Sequence, residues 1–164
     1  MKIEMIPVKS DTQIQEVATL AFTIWNEHFV PIIGQQQVDY MVAKFQSYPT
    51  LKEQIANGYE YFLLKTNDIF VGYVGIHIEG DALFLSKLYL LNTARHQWIS
   101  RQAFHFLTEL SKMRDLKRIW LTCNKYNEDT LAVYKHFGFQ VIDSCETDIG
   151  EGYIMDDYIL EYMI

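Results

Sequence analysis

At 164 residues, with 49% hydrophobic and 15% aromatic content, the chain is long enough to bury a substantial core and has the size of one domain, residues 1–164. Its formal net charge of −7 argues against nucleic-acid binding, because affinity for a phosphate backbone comes from clustered Lys and Arg, and suits cationic small molecules instead. The opening "MKIEMIPVKSDTQ" lacks the apolar core of a signal peptide and no later apolar run is long enough to span a bilayer, so a soluble cytoplasmic protein without membrane contact is expected.

In chain order, "IEMIPV" alternates and predicts a short first strand. In "SDTQIQEVATLAFTIWNEHF", Ser10 and Gln13 have capping-box spacing, and Ile14, Val17, Ala18, Ala21, Ile24, Trp25 and His28 fall along one helical face. Pro31 and Gly34 interrupt that pattern. Val38, Met41, Val42 and Phe45 mark a second helix that ends before a break at Tyr48-Pro49. "TLKEQIANG" predicts a short helix opened by a Thr50/Glu53 capping box and closed by Gly58. After Gly58 the period changes to alternation. "YEYFLLK", "FVGYVGIHIE" and "ALFLSKLYL" predict an antiparallel meander with turns at Thr66-Asn67-Asp68 and Glu79-Gly80-Asp81.

A helix is predicted from Ile99 to Met113, with Ile99, Ala103, Phe106, Leu107 and Leu110 on one side. "RIWLTC" is a nearly unbroken apolar run, as expected of a strand covered on both faces. Asn127 caps a helix that ends at Gly138, with Glu128 and Asp129 in its first turn and Lys135 and His136 in its last, matching the helix dipole. "FQVIDSCE" and "YIMDDYILEYMI" are the final strands. Cys123 and Cys145 belong to no ligand pattern and are expected as reduced thiols, and the scattered histidines have no metal-ligand spacing, so no metal is expected.

This order predicts a mixed α/β (α+β) fold: a mainly antiparallel central sheet with helices on both faces and one parallel step, between "LFLSKLYL" and "RIWLTC". Parallel neighbours leave strand ends and a helix N-terminus converging on one crevice. The loop "LNTARHQWIS" falls there, and it contains no glycine. With "RHQWIS" opening the central helix and "NEDTLAVYKHFGF" on the next one, the chain resembles the GCN5-related N-acetyltransferase superfamily over nearly its whole length. That family's loop pattern is R/Q-x-x-G-x-G/A. Arg95 matches its first position, while Trp98 and Ser100 stand at the two small-residue positions. Asn127, Ala132, Tyr134 and Phe137-Gly138-Phe139 match the family's second pattern, with one residue of slack before Ala132.

The resemblance implies an acetyl-CoA co-substrate, held by the backbone of Arg95, His96, Gln97, Trp98, Ile99 and Ser100, by the strand residues Leu88, Tyr89 and Leu90, and by Asn127. Transfer of acetyl from a thioester to an amine needs a neutral amine, a polarised carbonyl and a proton for the departing thiolate. Tyr134 is the expected general acid, since a phenol stays protonated at neutral pH; by residue type alone it reads as a packed helix tyrosine. Glu79, His77 and Glu60 are candidates for the base, each otherwise a solvated strand-end charge, and a water chain would serve as well. Trp25, His28, Tyr153, Asp156 and Asp157 lie in the first helix and last hairpin, which line the acceptor cleft in the family. Trp98 and Ser100 delete no N–H group, so the loop is expected to be a working but atypical phosphate cradle. The expected acceptor is a primary amine of a polyamine-like small molecule or a peptide. The alternatives are a catalytically silent acyl-CoA-binding module and an interaction protein that self-associates, as a homodimer, through exposed aromatics.

Overall fold

The structure, a computed structural model, describes residues 2–164. Its elements are β1 (Glu4–Pro7), α1 (Asp11–His28), α2 (Val30–Ile33), α3 (Gln35–Phe45), α4 (Tyr48–Ala56), β2 (Glu60–Thr66), β3 (Ile69–Glu79), β4 (Ala82–Leu90), α5 (Ile99–Met113), β5 (Arg118–Asn124), α6 (Glu128–Phe137), β6 (Gln140–Gly150) and β7 (Tyr153–Met163), with a 3-10 turn at Asn92–Ala94. The strands form one 7-stranded sheet in the order β1-β2-β3-β4-β5-β7-β6. Every neighbouring pair is antiparallel except β4 and β5, the parallel step anticipated from the crossover helix. Among the described residues, no helix is long and apolar enough to cross a membrane.

Two apolar clusters flank the sheet. On one face Leu83, Leu85, Ile119, Leu121 and Leu160 meet Ile99, Ala103 and Leu107 of α5 and Leu131 of α6. On the other, Leu63 and Tyr73 meet Val17, Ala21 and Ile24 of α1, Val38 and Met41 of α3 and Leu51 of α4. Each fully buried aliphatic side chain contributes about 1.5–3 kcal/mol. Helix α1 starts as its sequence dictates: Ser10 Oγ accepts from Gln13 N at 3.2 Å while Gln13 Oε1 accepts from Ser10 N at 3.0 Å.

Three local expectations are corrected. Helix α4 begins at Tyr48, with Ser47 as its N-cap and Pro49 in its first turn, because a proline costs nothing where a helical N–H has no partner anyway. Thr50 therefore sits inside the helix, and its hydroxyl donates to Lys44 O at 2.9 Å rather than forming a box with Glu53. Strand β5 is not covered on both faces: Ile119, Leu121 and Cys123 are buried while Thr122 is exposed, since only its α5/α6 face is packed throughout. Asn127 occupies the N-cap position of α6 without a side-chain cap bond, because its carboxamide is engaged elsewhere.

Candidate active site

Strands β4 and β5 pair over only three positions, Ala82–Arg118, Leu83–Ile119 and Phe84–Trp120. Beyond them β4 runs on to Leu90 and β5 to Asn124, and the two part. Phe84 and Trp120 stack at the fork with ring centroids 4.3 Å apart. A cavity of about 360 Å³ opens from this fork toward α1, α3 and α6. Leu88 and Tyr89 line it from β4, Trp25 and His28 from α1, Asn127 and Tyr134 from α6, and Arg95 from the loop before α5. Leu90 instead packs into the core on the α5 face.

The loop answers what a chain without glycines does at a phosphate cradle. Trp98 adopts the left-handed conformation, φ 64°, as does His96 at φ 61°. The backbone thus takes the turn that glycine usually provides, at a cost of about 1–2 kcal/mol per residue. The Trp98 indole projects outward, 67% exposed, with the Arg101 guanidinium 5.5 Å from its centroid. Ile99 anchors α5 in the core, and Gln102 N is the first α5 amide to reach a backbone acceptor, Trp98 O. The preceding amides of Ile99, Ser100 and Arg101 face out of the helix N-terminus, where the helix dipole favours an anion. Arg95 adds charge, and its Nε is buried with no partner among the described residues. Burial holds its guanidinium below the usual arginine range, opposed by Asp129 and Glu27.

Tyr134 is 7% exposed, packed edge-on against Phe139, and burial pushes its phenol well above the ordinary tyrosine range. Asn127 Oδ1 accepts from His28 Nε2 at 3.1 Å, joining the end of α1 to the start of α6 across the cavity. Burial, with Arg95 nearby, holds the His28 imidazole below its usual value, and the bond to Asn127 pulls the other way. Free N–H groups at a helix start, an orphaned arginine Nε, a slot between splayed strands and a buried phenol at its inner end together fit an acyl-CoA. The residues that would hold it are Arg95 to Ser100, Leu88, Tyr89 and Asn127.

Other expected site residues lie elsewhere. Glu79 pairs with His77 at 2.9 Å near the β3–β4 turn, and Glu60 is held by Arg114 through bonds of 2.6 and 2.9 Å. Neither lines the cavity. Tyr153 stacks beside Tyr40 at 5.2 Å, outside the cavity wall. Asp156 turns away and pairs with Lys125 at 2.7 Å, while its neighbour Asp157 faces the cavity. Burial and the Asp156 charge push the Asp157 carboxyl up to about 6.

Sequence reasoning missed Lys87, which also lines the cavity and is 5% exposed. Its ammonium donates to Phe45 O at 3.3 Å, to Gln54 Oε1 at 3.1 Å and to the Tyr61 hydroxyl, and no carboxylate among the described residues pairs with it. Burial lowers its pKa to about 7. The signal was there: one lysine inside the apolar run "LFLSKLYL". Gly75, its register partner on β3, makes room for the arrangement, since a Cβ there would stand 2.8 Å from the Tyr61 ring.

The fold has close counterparts among solved structures. The PaiA N-acetyltransferase of Thermoplasma acidophilum, solved in complex with coenzyme A, superposes with a TM-score of 0.83 at 18% identity over 100% of both chains. A GCN5-related N-acetyltransferase of Rhodopseudomonas palustris gives 0.83 at 9% identity, over 100% of this chain and 97% of the other. The ribosomal-protein-S18-alanine N-acetyltransferase of Escherichia coli gives 0.72 at 15%, over 99% and 94%. At these identities the likeness is one of fold. The sequence itself matches the acetyltransferase (GNAT) family across residues 21–139, most of the chain and all of α5 and α6, and the protein belongs to that family.

Proposed function

We propose that this protein is an acetyl-CoA-dependent N-acetyltransferase acting on a primary amine of a small molecule or peptide. The observation that carries the reading is the fork between β4 and β5: the cavity that opens from it is lined by Arg95 of the loop before α5, by the buried Tyr134 and by the aromatic side chains Trp25, Phe29 and Phe45. Family membership and the coenzyme A complex of a structural neighbour support it.

Backbone N–H groups at the start of α5, with Arg95, bind and orient the diphosphate. Past Phe84, β4 loses its β5 partner, and its free backbone edge at Leu88 and Tyr89 receives the pantetheine amides. When bound, acetyl-CoA supplies a thioester carbonyl that an amine nitrogen can attack. Tyr134 holds its proton across the physiological range and donates it from the phenolic oxygen to the departing sulfur. Burial raises the phenol but also disfavours a free thiolate in the same cavity, so the transfer keeps its direction.

A silent binding module was motivated by the missing glycines; the left-handed Trp98 supports an intact cradle instead. Thiol release from acetyl-CoA with a panel of amines, beside calorimetry with the cofactor alone, tests the reading. Binding without turnover on any amine would favour the silent module, and no binding would remove the cradle as well.

A further inference from the structure

Resting on that reading, we propose that Asp157 receives the ammonium of the acceptor and takes its proton, and that the acceptor is a monocationic amine with an apolar or aromatic body rather than a polyamine. Asp157 is 4% exposed, yet its carboxylate makes no hydrogen bond or ion pair among the described residues. It is the one carboxylate among the described residues that line the cavity. A buried, unpartnered acid facing a cavity is costly unless a ligand supplies the partner.

The groups around it are known. Cys123 on β5 and Tyr89 on β4 lie close enough for the Asp157 charge to raise both. Asp156 lies beside it on β7, and Lys125, whose charge acts on it, is already paired with Asp156. Asn124 on β5 and Cys145 on β6 are its register partners. Among the described residues no basic side chain pairs with the Asp157 carboxylate.

The rest of the acceptor side selects against further positive charge. Trp25, Phe29, Ile33, Met41 and Phe45 form its wall, and the one lysine among the described residues that line the cavity, Lys87, has its pKa lowered by burial to about 7, so that it carries part of a positive charge at neutral pH. A second ammonium on the acceptor would find no second carboxylate and would meet like charge. Like charges in such a site repel, so the single acid sets the charge of the substrate.

The proton balance closes. Asp157 takes one proton from the ammonium, which frees the nitrogen lone pair. The nitrogen–carbon bond forms as the carbon–sulfur bond breaks, and the sulfur takes the Tyr134 proton. Tyr134 regains a proton from the newly acylated nitrogen, and Asp157 returns its own to solvent. One ammonium and one thioester give one amide, one thiol and one released proton.

The test uses the full chain with acetyl-CoA and either 2-phenylethylamine or spermidine. Wild type should favour 2-phenylethylamine in kcat/KM by about tenfold or more. Its kcat/KM should inflect near the Asp157 value of about 6. Asp157→Asn should lose about 100-fold in kcat/KM and lose that inflection, with acetyl-CoA affinity unchanged by calorimetry. Asp157→Ser is run in parallel, so that a folding defect in one variant does not mask the result. Preference for spermidine overturns the substrate class. A persisting inflection, or both variants within threefold of wild type, overturns the role of Asp157. No thiol release on either amine, while other amines of the panel are turned over, also overturns the substrate class; cofactor binding without release on any amine of the panel overturns the enzymatic reading, and this inference with it.

Discussion

Tyr134 lines the cavity and its hydroxyl bonds to no group among the described residues, whereas its ring packs on Phe139. Tyr134→Phe is therefore expected to fold as wild type and bind acetyl-CoA within about twofold, while kcat falls about 100-fold; a thermal melt, calorimetry and thiol release check the three parts. Lys87 and Asp157 make opposite predictions about stability and pH. Burial holds the Lys87 pKa at about 7 in the folded chain, below the ordinary lysine value of 10.5, so the unfolded chain binds more protons between those values and stability should rise with pH from about 7 to 10. Its three hydrogen bonds moderate the effect to on the order of 1–3 kcal/mol, and Lys87→Met should flatten the slope in denaturant melts. Asp157 is raised from 3.8 to about 6. The folded chain then binds more protons, and stability should fall by on the order of 1–2 kcal/mol as pH rises from about 4 to 6. Asp157→Asn should remove that fall.

At the scale of elements, the start of α5 shows backbone conformation outlasting the residue that normally supplies it. If Trp98 is strained at φ 64°, Trp98→Gly should be more stable than Trp98→Ala by about 1 kcal/mol, because both remove the indole and only glycine relieves the backbone. Equal melts for the two variants would show that the loop relaxes instead. The same loop illustrates which parts of the fold can be read from sequence. Ser10/Gln13 was legible because a capping box is closed within four residues of chain. Thr50/Glu53 has the same spacing and fails, because Pro49 lets the helix begin earlier. The Ile99–Met113 helix was read to its ends, since its apolar period and its boundary signals agree. Lys87 went unnoticed because its acceptors come from α3, α4 and β2, separated in sequence and joined only by packing. Alternation along β7 separates Asp156 from Asp157, but only the pairing of Asp157 with Asn124 of β5 determines which of them meets the cavity.

For the whole molecule, a ligand that binds the folded state alone should raise the melting temperature. At one hundred times its Kd, acetyl-CoA should add about 2.7 kcal/mol, a shift of roughly 5–10 °C for a chain of this size. The three-residue parallel contact has a further consequence. It is the single strand-to-strand seam between β1–β4 and β5–β7–β6. The cluster on the α5/α6 face bridges that seam with Leu83, Leu85, Ile119 and Leu121, whereas the opposite face above it is hollow. A sheet glued on one side only bends toward the side without glue. The two halves should therefore rock about the Phe84–Trp120 stack, and hydrogen–deuterium exchange in the β4 segment from Leu85 to Leu90 should report that breathing and slow when the slot is filled.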